Sequence, residues 1–206
     1  MKRNKIVGIY LAAGLSTRMG SDKLRLPLGT MPLGNYALRA ALSSDLDHVV
    51  IVSGDGEADW MDSSLYAEPK SRKWSVVPCS DAHLGQASSL RCGVMAAQEM
   101  KAEAIMILLA DQPLITPSMI NKLLLAYQSH PNSSFAASRY EGLARPPVLF
   151  SKEKFPDLLT LQKDQGARQL IRNDPSGICL DFTSPHLFMD VDTPDDYRNL
   201  LELWKS

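Results

Sequence analysis

Four short runs of mostly Val, Ile, Leu and Ala constrain this chain more than anything else in it: "KIVGIYL" (5–11), "HVVIVSG" (48–54), "WSVVP" (74–78) and "AIMILLA" (104–110). Each is nearly continuous in its apolar character, so each predicts a buried strand. Between them the apolar residues change to helical spacing. "LGNYALRAALSS" sets Leu33, Ala37, Leu38, Ala41 and Leu42 along one face, and "ASSLRCGVMAAQEM" does the same with Leu90, Val94 and Ala97. "TPSMINKLLLAYQ" opens with Thr116 as an N-cap and Pro117 at the first helical position. Strands alternating with helices imply parallel pairing through right-handed crossovers, which gives a three-layer α/β protein. Beyond residue 130, "FAASRY", "PPVLF", "GICLDF" and "LFMDV" read as shorter strands, and "DQGARQLI" and "TPDDYRNLLELW" as helices. No linker, repeat or low-complexity segment divides residues 1–206, so one domain is expected.

With 45% hydrophobic and 22% charged residues the chain can bury a core, and its net charge of −1 gives no broad field to draw it to nucleic acid or a membrane surface. No apolar run reaches the roughly 18 residues of a membrane span. "MKRNKIVGIYLAAG" mimics a short signal peptide, but its apolar part is brief and rich in β-formers, so it reads as the first strand. Cys79, Cys92 and Cys179 are an odd, scattered set, which argues against a disulfide framework and suits a reducing cytoplasm. His48, His83, His130 and His186 lack the spacing of a transition-metal site.

In open sheets of this kind ligands bind beyond the carboxyl ends of the strands, so the residues that follow the strands carry the functional information. After the first comes "LAAGLSTRMGSDK" (11–23). Ala12, Ala13 and Gly14 carry almost no side chain, which lets a base or phosphate approach their backbone N–H groups. Gly20 allows a second turn. Arg18 offers a planar donor fork, and Lys23 a compact cation, to the same polyanion. Neither a P-loop nor G-x-G-x-x-G is present, which speaks against a dinucleotide-binding dehydrogenase. Singly, Arg18 and Lys23 read as solvated charges; as one strand-end unit they read as a nucleotide loop.

Four further stretches each have two readings. "ILLADQPLIT" (107–116) puts Asp111 at the end of a central strand: alone it is equally a turn residue, beside the first loop it suits Mg²⁺. "FMDVDTPDD" (188–196) alternates Asp190 and Asp192, so an extended segment turns both carboxylates to one side, at a cost unless a cation or donors lie between them. Asp195 and Asp196 suit the positive end of a helix opened by Thr193 and Pro194. In "LGQASSLRCG" (84–93), Gln86, Ser88 and Ser89 could hydrogen-bond a base or ribose, while Ser88 or Ser89 could equally be an N-cap. In "KDQGARQLI" (163–171), Asp164, Gly166 and Arg168 could meet an anionic second substrate or simply open a surface helix.

Taken together these stretches resemble the MobA-like nucleotidyltransferase family. "LAAGLSTRMGSDK" is similar to its L-A-[AG]-G-x-S-x-R-M-G-x-x-K pattern, and "ADQP" with "DVDTPDD" most resembles the molybdenum cofactor cytidylyltransferase branch. That branch includes maturation factors for xanthine dehydrogenase in purine catabolism. The resemblance implies a Rossmann-like, mostly parallel mixed sheet of the nucleotide-diphospho-sugar transferase type. It also implies Mg²⁺-dependent transfer of CMP from CTP to the terminal phosphate of the molybdenum cofactor (molybdopterin). By the same resemblance Leu11, Ala12, Ala13 and Gly14 contact base and ribose, Arg18 and Lys23 hold the triphosphate, and Asp111 with Asp190 or Asp192 holds the metal. The second alanine, where the guanylyltransferase branch has glycine, favours CTP over GTP. The chain differs from the family at Cys79, where Asn or Asp is common, and at "ARPPVLF" and "KDQGAR" in the region that meets the acceptor. Rival readings are a nucleotidyltransferase for another small phosphate and a non-catalytic carrier that delivers the cofactor to an apo molybdenum hydroxylase. A pure carrier has no need of the Arg18, Lys23 and Asp111 set.

Overall fold

The computed structural model describes residues 4–54, 56, 58–66, 73–163, 166–172 and 174–205. The apolar runs form strands because both of their faces are covered. Val7, Ile9, Val50 and Val52 are buried in one side layer, and Ile6, Tyr10, Val49 and Ile51 in the other, as the two-residue period of a strand requires. In chain order the elements are β1 (Ile6–Leu11), the small hairpin of β2 (Pro27–Leu28) and β3 (Met31–Pro32), α1 (Asn35–Leu42), β4 (His48–Ser53), β5 (Trp74–Pro78) and α2 (Gln86–Glu99). There follow β6 (Ala104–Leu109), α3 (Pro117–Ser129), β7 (Phe135–Tyr140), β8 (Leu143–Ser151), α4 (Phe155–Thr160), α5 (Arg168–Arg172), β9 (Ile178–Asp181) and α6 (Pro194–Lys205).

The main sheet has the order β5-β4-β1-β6-β8-β7-β9, and β8 alone runs against the others. The chain steps outward from β1 to β4 and β5, then crosses back through α2 to lay β6 on the other side of β1. The carboxyl ends of β1 and β6 are therefore a topological switch point, where an open sheet leaves a crevice. Leu90, Val94 and Ala97 of α2 pack on the Ile9 layer, while α1, α3 and α6 place Leu38, Ile120, Leu124 and Leu200 on the Tyr10 layer. Gly93 lets α2 lie tightly on the sheet: a Cβ there would lie 2.3 Å from Ile9 Cγ2.

Several elements differ from the sequence expectation. "LFMDV" is no strand: Pro185–Phe188 form a 3-10 turn, and Phe188 and Val191 bury themselves in the core without joining the ladder. Its apolar content reflects packing rather than pairing. "PPVLF" is only the second half of β8, which starts at Leu143. Between the pairs Ala137–Val148 and Ser138–Arg145 the β7–β8 register shifts, leaving Pro146 and Pro147 outside the ladder. Neither proline has an N–H to give, and the Ser138 hydroxyl instead donates to the Pro147 carbonyl at 2.9 Å. Cys79 and Cys92 form a disulfide, with Cα atoms 6.1 Å apart, against the expectation from their scatter. The crossover from β5 folds the strand end back over α2, and a spacing of 13 residues along the chain does not reveal that. The helix α3 does begin as expected, with Thr116 Oγ1 accepting from the Met119 N–H at 3.2 Å.

Candidate active site

β1 and β6 end side by side, tied by the Ala110 N–H to the Leu11 carbonyl at 3.1 Å, so the loops that follow leave the sheet at one edge. The first loop turns at Ser16, whose carbonyl accepts from the N–H groups of Met19 (3.0 Å) and Gly20 (3.2 Å). Ser16 has φ +49° and Gly20 φ +76°. A serine held in the left-handed region stores roughly 1–3 kcal/mol, and such strain gathers at functional loops. At Gly14 a Cβ would meet no protein atom, so the space its missing side chain leaves belongs to the cavity in front of it. Asp22 then starts a short 3-10 turn, Lys23–Arg25, with its Oδ1 accepting from the Leu24 N–H at 3.0 Å. That turn sends Lys23 inward.

Lys23 Nζ lies 2.5 Å from Asp111 Oδ2 and 2.7 Å from Asp192 Oδ1, and Arg18 reaches the other Asp192 oxygen at 2.9 Å. Burial alone would push the Lys23 ammonium down; Asp111 and Asp192 outweigh it and hold its pKa above the ordinary value. Directly behind, burial and then the Asp111 charge push the Tyr10 phenol well up, so it stays neutral and donates to the Gly34 carbonyl at 2.7 Å. The Val191 N–H bonds the Asp111 carbonyl at 3.0 Å and so fastens the 190–192 segment to the end of β6. Asp190 takes a different partner, Gln112 Nε2 at 2.8 Å; burial first, then Asp111, raise its carboxyl above the usual range. Thr193 and Asp196 cap α6 reciprocally: Thr193 Oγ1 accepts from the Asp196 N–H at 3.2 Å, and Asp196 Oδ2 accepts from the Thr193 N–H at 2.8 Å.

Two cavities meet at this cluster. The smaller, about 330 Å³, is lined by Leu11 to Arg18, Lys23, Gln86, Ser89, Asp111 and Asp192. The larger, about 780 Å³, lies beyond the shared wall of Leu11, Gln86 and Leu109 and takes in Gln112, Asp190, Gly166, Arg168 and Arg145. Most residues singled out in the sequence are thus gathered at one edge of the sheet, with Asp190, Gly166 and Arg168 on the second cavity. Ser88 is not part of either wall; it is buried, and its hydroxyl accepts from Arg91 at 3.0 Å. Neither Ser88 nor Ser89 is an N-cap, because α2 starts one turn earlier at Gly85, whose φ of +116° suits glycine. Asp164 lies outside the described residues. Sequence reasoning missed Gln112 and Arg145. The first was signalled by its place next to Asp111, the second by nothing beyond the unusual "ARPPVLF".

The donor set fits a hard divalent cation. Asp111 Oδ1 is buried with no hydrogen-bond partner, and it points from the strand end where Asp192 supplies further oxygens. Among the described residues no three acidic, His or Cys side chains stand close enough to ligate one ion unaided. Mg²⁺ commonly takes one or two carboxylates and completes its shell with phosphate oxygens and water, so the pair suffices.

A mixed, mostly parallel sheet with a cation–carboxylate cluster at its switch point, between two cavities, is the arrangement of a nucleotidyltransferase. Residues 8–178 match the model of the MobA-like NTP transferase domain, and the chain belongs to that family. It is 38% identical over 201 residues to the purine catabolism protein PucB of Bacillus subtilis, with 96% of each chain covered. It is 26% identical to a molybdenum cofactor guanylyltransferase of Rhodobacter capsulatus, over 93% of each chain. Among solved structures, Rv0371c of Mycobacterium tuberculosis superposes with a TM-score of 0.77 at 28% identity, covering 97% of this chain and 98% of that one. The same protein has also been solved in complex with manganese. No described helix is long and apolar enough to cross a membrane.

Proposed function

We propose that the protein transfers CMP from CTP to the terminal phosphate of the molybdenum cofactor, giving the cytosine dinucleotide cofactor and pyrophosphate, for maturation of a molybdenum hydroxylase such as xanthine dehydrogenase. The observation that carries this is Lys23, clamped between Asp111 and Asp192 on the wall of the smaller cavity, which shares Leu11, Gln86 and Leu109 with the larger one. The names of the relatives, a purine catabolism protein and a molybdenum cofactor guanylyltransferase, support the setting. Ala13 on the nucleotide loop supports CTP as the donor.

The triphosphate lies along the loop from Ala12 to Arg18 in the smaller cavity, and the acceptor enters from the larger one. An acceptor phosphate oxygen attacks the α-phosphorus; the bond to the bridging oxygen of the β-phosphate breaks, and pyrophosphate leaves with the electron pair. Two polyanions repel, so positioned positive charge is what the reaction needs. Lys23 supplies it from a buried position and Arg18 from the rim. Mg²⁺ held by Asp111 and Asp192 would neutralise charge on the phosphates when bound. An acceptor phosphate is already ionised near neutral pH, so no general base is required.

Pyrophosphate release is measured with purified molybdenum cofactor, Mg²⁺ and each nucleotide in turn. Release with CTP alone is expected. Release with GTP moves the chain to guanylyl transfer, and tight cofactor binding without release with any nucleotide makes it a carrier.

A further inference from the structure

We infer that Arg145 binds an anionic group of the acceptor, so that acceptor recognition is centred on the start of β8. The inference rests on the reading of the larger cavity as the acceptor site. Arg145 Nε is buried and has no hydrogen-bond partner. A guanidinium N–H removed from water and left unpaired is costly, and its planar fork is shaped to meet two oxygens of a phosphate or carboxylate. Its place in the fold argues the same way. The register shift at Pro146 and Pro147 sits immediately beside Arg145, and a bulge of this kind re-aims the neighbouring side chain. The displaced Pro147 carbonyl is held by Ser138, so the shift is built in rather than loose.

The surroundings point to an anion. Arg145, Lys163, Arg168 and Arg172 all line the cavity, and Asp190 is the one carboxylate among its described lining residues. Arg168 and Arg172 are four apart on α5, a spacing at which like charges repel. Asp190 is already engaged by Gln112. Four cations against one occupied carboxylate, on a chain whose net charge is −1, is a local excess that an incoming polyanion relieves. The same cavity is also lined by the apolar Leu90, Ile107 and Val148. The acceptor therefore carries an apolar or planar body and more negative charge than the single reacting phosphate.

The test has two arms. In the first, inorganic phosphate is titrated onto the full chain with Mg²⁺ and CTP present, while arginine Nε–H signals are followed by NMR. The Arg145 signal is identified as the one missing in Arg145→Lys. A saturable shift of that signal is expected; a signal that stays still throughout the titration overturns the inference. In the second, Arg145→Ala raises the KM for molybdenum cofactor about tenfold or more, the usual loss for one charge-assisted hydrogen bond, and leaves the KM for CTP within about twofold. An unchanged acceptor KM, or a rise confined to CTP, overturns it. Should the unmodified protein release no pyrophosphate, the proposed reaction falls, and the phosphate titration alone then decides the role of Arg145.

Discussion

Lys23 and Arg18 are both cations beside Asp192, yet burial separates what they can do. Arg18 has a side chain 70% exposed, so its ion pair adds little to stability and is screened by salt. Lys23 is enclosed, where a fixed charge acts at close range in a poor dielectric. Replacing Lys23 by Ala is expected to cut turnover by on the order of a hundredfold, as loss of one charge-stabilising donor does, with stopped-time pyrophosphate assays as the check. Near-normal turnover would remove Lys23 from the mechanism. Arg18→Ala is expected to raise the KM for nucleotide by less than about tenfold and to leave the melting temperature unchanged. Of the residues on the two cavity walls, those at the first strand end were legible in the sequence because small residues, a fork and a cation stand together there. Arg145 was not. In "ARPPVLF" it looks like any loop arginine, and only the neighbouring strand reveals that Pro146 and Pro147 have been pushed out of the ladder.

Among the elements, those with a strong local signal formed where expected: β5 and β7 match residue for residue, and α3 takes its cap from Thr116. "LFMDV" misled because a buried apolar segment has the same composition whether or not it finds a ladder. Gly93 shows a constraint that composition hides. Gly93→Ala is expected to destabilise the fold by about 1–3 kcal/mol, since the new methyl would force Ile9 or the helix aside, and thermal melting measures it. A second element-level prediction concerns acid. Asp174 accepts from Lys154, Ser134 and Ser176, ahead of β9, and the Lys154 ammonium is the largest of the influences that hold its carboxyl far below the usual range. A depressed carboxylate adds stability above its unfolded pKa of 3.8 and loses it as pH falls through the folded value. Asp174→Asn should therefore melt lower than the unmodified chain at neutral pH, and the gap should close progressively below pH 3.8. A constant gap across that range would show that the charge is not what matters.

At the scale of the molecule, the site draws on residues 11–23, 86, 109–112 and 190–192, which are brought together only by the complete sheet. Nucleotide binding should then be linked to global folding. Mg²⁺ with CTP at a hundredfold excess over its Kd is expected to add about 2.7 kcal/mol, a rise of several degrees in Tm by scanning fluorimetry. Lys23→Ala should lose most of that rise, and a full rise in the variant would place the nucleotide elsewhere. The single reversed strand has a consequence of another kind. Because β8 runs backwards, its opening residues rather than its closing ones arrive at the reactive edge, carried by the hairpin from 135 to 151. The loops proposed to hold the nucleotide follow β1 and β6 instead. On the proposed reading, donor and acceptor preferences are written on largely separate pieces of chain, and a graft of that hairpin with α5 from a relative is the exchange by which one could be rewritten while the other is kept.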